Sequence, residues 1–366
     1  MADSGTARKS GGFVLSRREK ISFWHSALIR VIGVALGLLV CAVVIVLLTG
    51  MNPLDVYSGI VSGAVGTKRR LWVTIRDTMF LLIIAVGLAP AFKMRFWNIG
   101  AEGQVLAGAV MTAAIMIHYG DAIPAWILFP VLFVTSAAAG AVWGMIPAFF
   151  KAHWGTNETL FTLMMNYVAS QIVNYCIIQW ENPAGSNTVG TINRATKAGW
   201  FPELFGTDYG WIVLIVMAAA VLMFFYLRST KHGYEIAVVG ESENTARYAG
   251  ISVKKVIIRT MALSGAICGL AGFLIVAGSS HTISTSTAGG RGFTAIIVAW
   301  MAKFNTFWML LVSFFLVFMQ NGTIQIASQF NLSENIGDII TGILLFFIIG
   351  SDFFITYRVH RAAKEA

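Results

Sequence analysis

Long apolar runs separated by short polar breaks fill most of this chain. The runs near 28–49, 125–148, 209–227, 306–319 and 336–355 contain few or no charges. A helix needs roughly 20 apolar residues to cross a bilayer core, and these runs reach or approach that length. They do not alternate polar with apolar, as the strands of a membrane barrel must. An open sheet would leave its edges unsatisfied in lipid. The pattern therefore predicts an all-α membrane protein, a polytopic bundle of about ten transmembrane helices with broken or re-entrant segments.

Read in order, the spans fall at 28–49, 77–93, 101–118, 124–148, 158–179, 209–227, 257–278, 293–303, 306–327 and 336–356. The second is expected to end at Pro90, Lys93 and Arg95, the fourth to stop at Pro147, and the eighth to be short. A short amphipathic helix is expected at 54–65 and a polar external loop at 180–208. Residues 1–27 and 357–366 read as cytoplasmic tails around a membrane domain at 28–356, with a cytoplasmic loop at 228–256. One feature resists this topology: Lys68, Arg69, Arg70 and Arg76 fall on the external side.

Composition agrees with the pattern. Apolar residues make up 57% of the 366 positions and charged residues 12%, about half the usual charged share of a soluble domain. The net charge of +9 sits in loops and tails, so it follows the positive-inside rule and does not point to nucleic acid. Arg8, Lys9, Arg17, Arg18 and Lys20 precede the first span, and Arg358, Arg361 and Lys364 follow the last. Both termini are thus expected on the cytoplasmic face. Cys41, Cys176 and Cys268 lie in apolar segments without metal-type spacing and read as small core residues.

Residues 228–259 form a basic, polar island in this apolar chain. Within it, Glu241 to Gly250 has the composition of a short surface helix ending at glycine. A membrane protein that keeps such a helix between spans is offering it to a soluble partner.

Two breaks interrupt the apolar pattern at membrane depth, one in each half of the chain. They are 96–104, containing Asn98, Glu102 and Gln104, and 279–293, a Ser/Thr/Gly-rich stretch ending at Phe293. Glycine-broken segments in matching positions point to a transport site. An intramembrane carboxylate such as Glu102 is a functional hypothesis by default. Its structural alternatives are a cap on the third span or a pair with Lys93 or Arg95. In the fifth span Glu158, Thr162, Asn166, Ser170 and Asn174 recur every four residues, on one slowly winding face. Such a stripe either lines a hydrated path or makes interhelical hydrogen bonds. Gly265, Gly269 and Gly272 suit close helix packing.

The sequence has no GxxxxGK[ST] phosphate loop, CxxC pair or nucleophile elbow. Gly290-x-Gly292-x-x-Ala295 matches part of a dinucleotide fingerprint, but no strand–helix unit surrounds it. If ATP drives transport, the nucleotide site is on another polypeptide.

The stretches FWNIGAEGQVLAGA at 96–109, GTNETLFTLMMNYVA at 155–169 and HGYEIAVVGESENTARYAGISVKKV at 232–256 carry a resemblance, supported by SGAICGLAGF at 264–273 and GGRGFTAIIVA at 289–299. With them the chain resembles bacterial ABC importer permeases of the ribose and branched-chain amino acid group. Within that group it is most similar to nucleoside permeases linked to basic-membrane-lipoprotein-type binding proteins.

The resemblance implies a heteromeric importer in the bacterial inner membrane. Its other parts would be an ABC ATPase carrying ATP and magnesium, a second permease and an external solute-binding protein. This chain would hold no cofactor and do no catalysis. The substrate path would draw on Asn98, Glu102, Gln104, Glu158, Thr162, Asn166 and Phe293. A cytoplasmic coupling helix would present Glu241, Asn244, Ala246, Arg247, Tyr248 and Gly250 to the ATPase. The family often has Glu-Ala-Ala before Arg-Tyr-Ala-Gly, where this chain reads Asn244-Thr245-Ala246. Nucleosides are the expected solute. Ribose or another monosaccharide, or an ion-coupled carrier relying on Glu102, are the alternatives.

Overall fold

A computed structural model of the chain describes residues 13–17, 22–204, 206–330 and 335–361. Arg8, Lys9, Arg18, Lys20 and Lys364 lie outside the described residues. The structure divides into two units, one of residues 1–66 and 318–366, the other of 67–317.

The first unit holds β1 (Phe13–Arg17), α1 (Phe23–Thr49) and α2 (Pro53–Val65). The second holds α3 (Lys68–Lys93), α4 (Ala101–Tyr119), α5 (Ala125–Trp154), α6 (Glu158–Trp180) and α7 (Gly210–Ser229). It continues with α8 (Lys231–Glu241), α9 (Glu243–Tyr248), α10 (Val253–Ile275), which runs on as a π-helical turn over Val276–Ser280, and α11 (Arg291–Met301). Helix α12 (Thr306–Phe330) passes from the second unit into the first, which ends with α13 (Asn335–Thr356) and β2 (Tyr357–Arg361).

The helix ends follow local chemistry. Asn52, Thr67 and Asn157 cap α2, α3 and α6 by accepting the backbone N–H of Leu54, Arg70 and Leu160. Each supplies an acceptor to an otherwise orphaned donor. Gly50 and Gly155 close α1 and α5 in the left-handed conformation, which glycine adopts without steric cost.

In the first unit α1 packs along α13, and the Cys41 thiol donates to the carbonyl of Ile340. Strands β1 and β2 pair antiparallel, Phe13 opposite Arg361 and Arg17 opposite Tyr357. The two tails therefore meet at one end of this unit. That ribbon is a small departure from an all-helical chain. The amphipathic helix expected at 54–65 is α2.

In the second unit α10 is the central helix, packed against α5, α4 and α3. The contact is close because small residues face each other. A side chain on Gly265 would collide with the carbonyl of Gly140, and one on Gly269 with that of Ser136. The glycines at 265, 269 and 272 thus act as packing residues. Outward-facing Trp126, Val134, Tyr167 and Leu222 are exposed, as a lipid-facing surface requires.

The expected spans are found, with one correction at Pro147. Nine helices among the described residues are long and apolar enough to cross a membrane, and the tenth expected span is the short one. The eighth expected span is α11, with only 11 residues. It lies along α3, from Arg291 beside Asp77 (3.6 Å) to Trp300 against Phe92 (5.9 Å). The polar break and this half-length helix together make the return that a full span would make. Helix α3 ends at Lys93, as expected, whereas α5 does not stop at Pro147 but runs on to Trp154. A proline removes one helical hydrogen bond, and neighbouring helices make that tolerable within a bundle. The basic island holds α8 and α9, joined at Ser242, and α9 is the short helix expected between Glu241 and Gly250.

Candidate functional site

The segment 94–100 links α3 to α4 and is buried at Met94, Phe96 and Asn98. It begins with a tight reversal: Phe96 N–H donates to Ala91 O at 2.9 Å, and Arg95 takes a positive φ of 61°. Asn98 is fully buried, and its amide is fully used. Nδ2 donates to Ser264 Oγ (3.2 Å) on α10 and to Gln104 Oε1 (3.4 Å). Oδ1 accepts from Gly100 N (3.0 Å) and Gln104 Nε2 (3.3 Å).

Helix α6 supplies the other side. Asn166 Oδ1 accepts from Gly103 N and Nδ2 donates to Ile99 O, both at 2.9 Å. Thr162 Oγ1 accepts from Ile99 N at 3.2 Å. Asn98, Gln104, Thr162 and Asn166 are thus brought together, as the sequence suggests. They form a closed knot that binds the broken segment to α6 and α10. Buried polar groups satisfied in this way rigidify the structure around them.

Glu102 follows a different route from the cap or the Lys93/Arg95 pair considered from sequence. Its Oε1 accepts from Gly290 N (2.7 Å) and its Oε2 from Gly292 N (2.8 Å). Gly290 is the N-cap of α11, and Glu102 itself lies in the first turn of α4. One carboxylate therefore sits at two helix N-termini, where a negative charge is favoured. The two sequence breaks, 188 residues apart at this contact, meet through it.

The remaining predicted residues lie elsewhere. Glu158 pairs with Lys151 at 2.8 Å across the α5–α6 connection. Of the rest of the stripe, Ser170 is half-buried and Asn174 exposed. The Phe293 ring, in the first turn of α11, is 44% exposed.

Sequence reasoning missed a second charged cluster beside α11. Arg76 Nε donates to Asp77 Oδ1 at 3.0 Å, Arg76 Nη1 reaches the Tyr209 hydroxyl at 3.3 Å, and Arg291 lies 3.6 Å from Asp77. Asp77 stands at the edge of an apolar run, which was the available signal. An aromatic group also went unnoticed, with Trp97 stacked on Trp300 at 5.3 Å and both against Phe92.

At the other end of the bundle, α9 exposes Glu243, Asn244, Arg247, Tyr248 and Gly250, with Glu241 exposed at the end of α8. Tyr248 is 94% exposed. Ala246 is the exception: it is fully buried against its own chain, so it seats the helix and offers no surface to a partner. Gly250, with φ of 78°, ends the helix in a conformation other residues resist.

The outer loop 180–208 is tied to the helix ends. Asn193 Nδ2 donates to Met116 O (2.7 Å), and Ile192 N to His281 O (2.8 Å). The His281 ring stacks on Trp200 at 3.7 Å.

Membrane-length helices with two broken segments meeting at helix N-termini define a membrane transport protein. Residues 72–349 match the family described as the permease component of the branched-chain amino acid transport system, and the chain belongs to that family. It is 31% identical over 328 residues to a guanosine ABC transporter permease protein of Bacillus subtilis, covering 88% of this chain and 93% of the relative. A glucose ABC transporter permease protein of Haloferax volcanii is 28% identical over 356 residues, 94% of this chain and 93% of its own. A nucleoside ABC transporter permease protein of Lactococcus lactis is 27% identical over 335 residues, 88% and 91%. The chain is a multi-pass permease subunit of an ABC importer.

Proposed function

We propose that this permease carries nucleosides inward across a bacterial cytoplasmic membrane. It forms the path with a second permease, takes solute from an external binding protein, and is driven by an ATPase on the face where α8 and α9 lie. Both termini then lie on that same face. ATP and magnesium belong to the ATPase, and this chain does no catalysis. The observation that carries the solute class is the identity of 31% to a guanosine permease along nearly the full length of both chains.

The geometry supports a path next to the Glu102–α11 contact, where the half-exposed Phe293 ring offers a face to a planar base. Asn98, Gln104, Thr162 and Asn166 hold the wall of that path in place, and Glu158 lies apart from it. A monosaccharide is the second reading, favoured by the glucose permease relative that covers 94% of this chain. An ion-coupled carrier is less well supported, since both Glu102 oxygens already accept backbone hydrogen bonds.

The test is purification of the tagged chain in mild detergent, with mass spectrometry of co-eluting proteins and of the ligand held by the co-eluting binding protein. A nucleoside on a protein that co-elutes with an ATPase and a second permease is the expected result. A monosaccharide there selects the second reading. A homo-oligomer without an ATPase under several detergents overturns both.

A further inference from the structure

Helix α8 is pressed against the ends of the membrane helices with no side chain between. Gly240 is buried at the last turn of α8. A Cβ there would overlap the carbonyl of Lys93 and come within 3.1 Å of Met94 Cα. Earlier in the helix, a Cβ on Gly233 would meet Leu227 O at 2.8 Å. Lys93 Nζ in turn donates to Leu227 O at 3.2 Å, so the ends of α3 and α7 are joined beneath α8.

On its other side α8 runs almost directly into α9. Ser242 is the only residue between them, and it serves both. Its N–H donates to Val238 O (3.0 Å), closing α8, and its Oγ accepts from Thr245 N (3.2 Å), opening α9. A displacement of α9 therefore has little slack before it reaches Gly240.

We infer that Gly240 is a positioning residue for transport, the point at which motion of α9 is passed through the Lys93–Met94 backbone to the 94–104 segment and the Glu102–α11 contact. The inference rests on the proposed reading of α9 as the ATPase-facing helix. Lys93 and Met94 lead directly into the Arg95 reversal and then into Asn98, whose amide is locked to Gln104 and Ser264. Glu102 stands four residues further on and holds Gly290 and Gly292. Each joint is a backbone contact or a satisfied hydrogen bond, so the segment moves as a body. Packed interiors of this kind transmit displacement because they deform little.

The experiment is hydrogen exchange with mass spectrometry on the assembled importer, with and without trapping by ATP and vanadate, in wild type and Gly240→Ala, alongside ATP hydrolysis and uptake in proteoliposomes. In wild type, trapping should alter exchange at least threefold in peptides covering 94–104. In Gly240→Ala that response should disappear and uptake fall at least tenfold while hydrolysis continues. A structural role alone would not separate uptake from hydrolysis in this way. An unchanged 94–104 response in Gly240→Ala, or uptake near wild type, overturns the inference. Should Gly240→Ala fail to assemble, the wild-type complex still decides: no change at 94–104 on trapping overturns it. Protection of 243–250 when the ATPase is bound reports the underlying reading separately. Its absence sinks that reading, whereas its presence with a silent 94–104 segment sinks only the role of Gly240.

Discussion

The carboxylate of Glu102 accepts the backbone N–H of Gly292 at 2.8 Å, and its other oxygen takes the N–H of Gly290. This ties the start of α4 to the start of α11. Gly290 is exposed but Gly292 is buried, and an unsatisfied buried donor costs about 1–3 kcal/mol. Glu102→Ala should therefore lower the melting temperature of the purified chain and reduce uptake together. Glu102→Gln keeps one acceptor and should fall between. A full-strength Glu102→Gln transporter whose pH profile alone is altered would instead assign the carboxylate a proton-handling role.

Asn98 and Asn166 make parallel predictions. Asn98→Ala strands Ser264 and the Gln104 amide, and Asn166→Ala strands Gly103 N and Ile99 O. Each change orphans at least two groups, at about 1–3 kcal/mol for each buried one, and should lower the amount of protein in the membrane. Normal membrane levels with lost uptake would show that these amides contact solute.

The α5–α10 seam is a glycine-lined contact between backbones. Gly140 and Gly265 each face the other's backbone carbonyl. Gly265→Val should force the helices apart and cost about 1–3 kcal/mol or more, as overpacking does. Thermal unfolding in detergent measures this directly. Gly342→Ala, inside α13 where a Cβ meets nothing within 4 Å, is the control and should not destabilise, since alanine is favoured in a helix by about 0.5–1 kcal/mol.

Much of this arrangement was legible in the sequence, for physical reasons that differ between elements. Long apolar runs announce membrane helices because lipid tolerates little else, and Gly265 and Gly269 announce close packing because they lack side chains. The two breaks were visible as polar stretches where apolar ones were expected. Their meeting through Glu102 was not visible, since nothing in local pattern couples residue 102 to residue 290. Helix α11 was legible as a short span, but hydropathy does not record that it starts partway along its neighbour. Ala246 was misplaced because a small residue suits both a docking surface and a seat, and only the fold separates the two. The Arg76–Asp77–Arg291 cluster was missed because Arg291 comes from a segment distant from the adjacent Arg76 and Asp77.

Acid should loosen the α8 seam. The His232 ring lies 2.7 Å from the Tyr226 hydroxyl on α7 and 3.4 Å from Thr260 Oγ1 on α10. Burial holds its pKa below the usual value near 6.5, against the pull of Glu235, while Arg259 adds to the depression and the Val256 backbone opposes it. A lowered histidine pKa means that the unfolded chain binds more protons at acid pH. Stability from His232 is therefore complete above about 6.5 and is lost as pH falls through the folded pKa. Melting temperature should drop between pH 7.5 and pH 5.5, about one unit either side of that reference value, and His232→Gln should flatten that slope. An unchanged slope in His232→Gln would place the acid sensitivity elsewhere.

Arg247 and Tyr248 stand out from α9 while Ala246 anchors it, so under the proposed function the exposed pair is what the ATPase would meet. Arg247 makes one ion pair, to Glu243 at 3.5 Å, and both side chains are largely exposed. Such a pair contributes roughly 0–1 kcal/mol, so breaking it should leave the fold intact. Arg247→Glu reverses the charge offered to the partner, and uptake should fall at least tenfold, about 1.4 kcal/mol of lost coupling per factor of ten. Tyr248→Ala should act in the same direction by removing an aromatic contact. Ala246→Leu provides the contrast: it should lower the melting temperature, because the residue is buried inside this chain. Uptake assays paired with thermal unfolding separate the two classes. Loss of stability in Arg247→Glu, or normal uptake in both Arg247→Glu and Tyr248→Ala, would remove α9 from the contact with the ATPase.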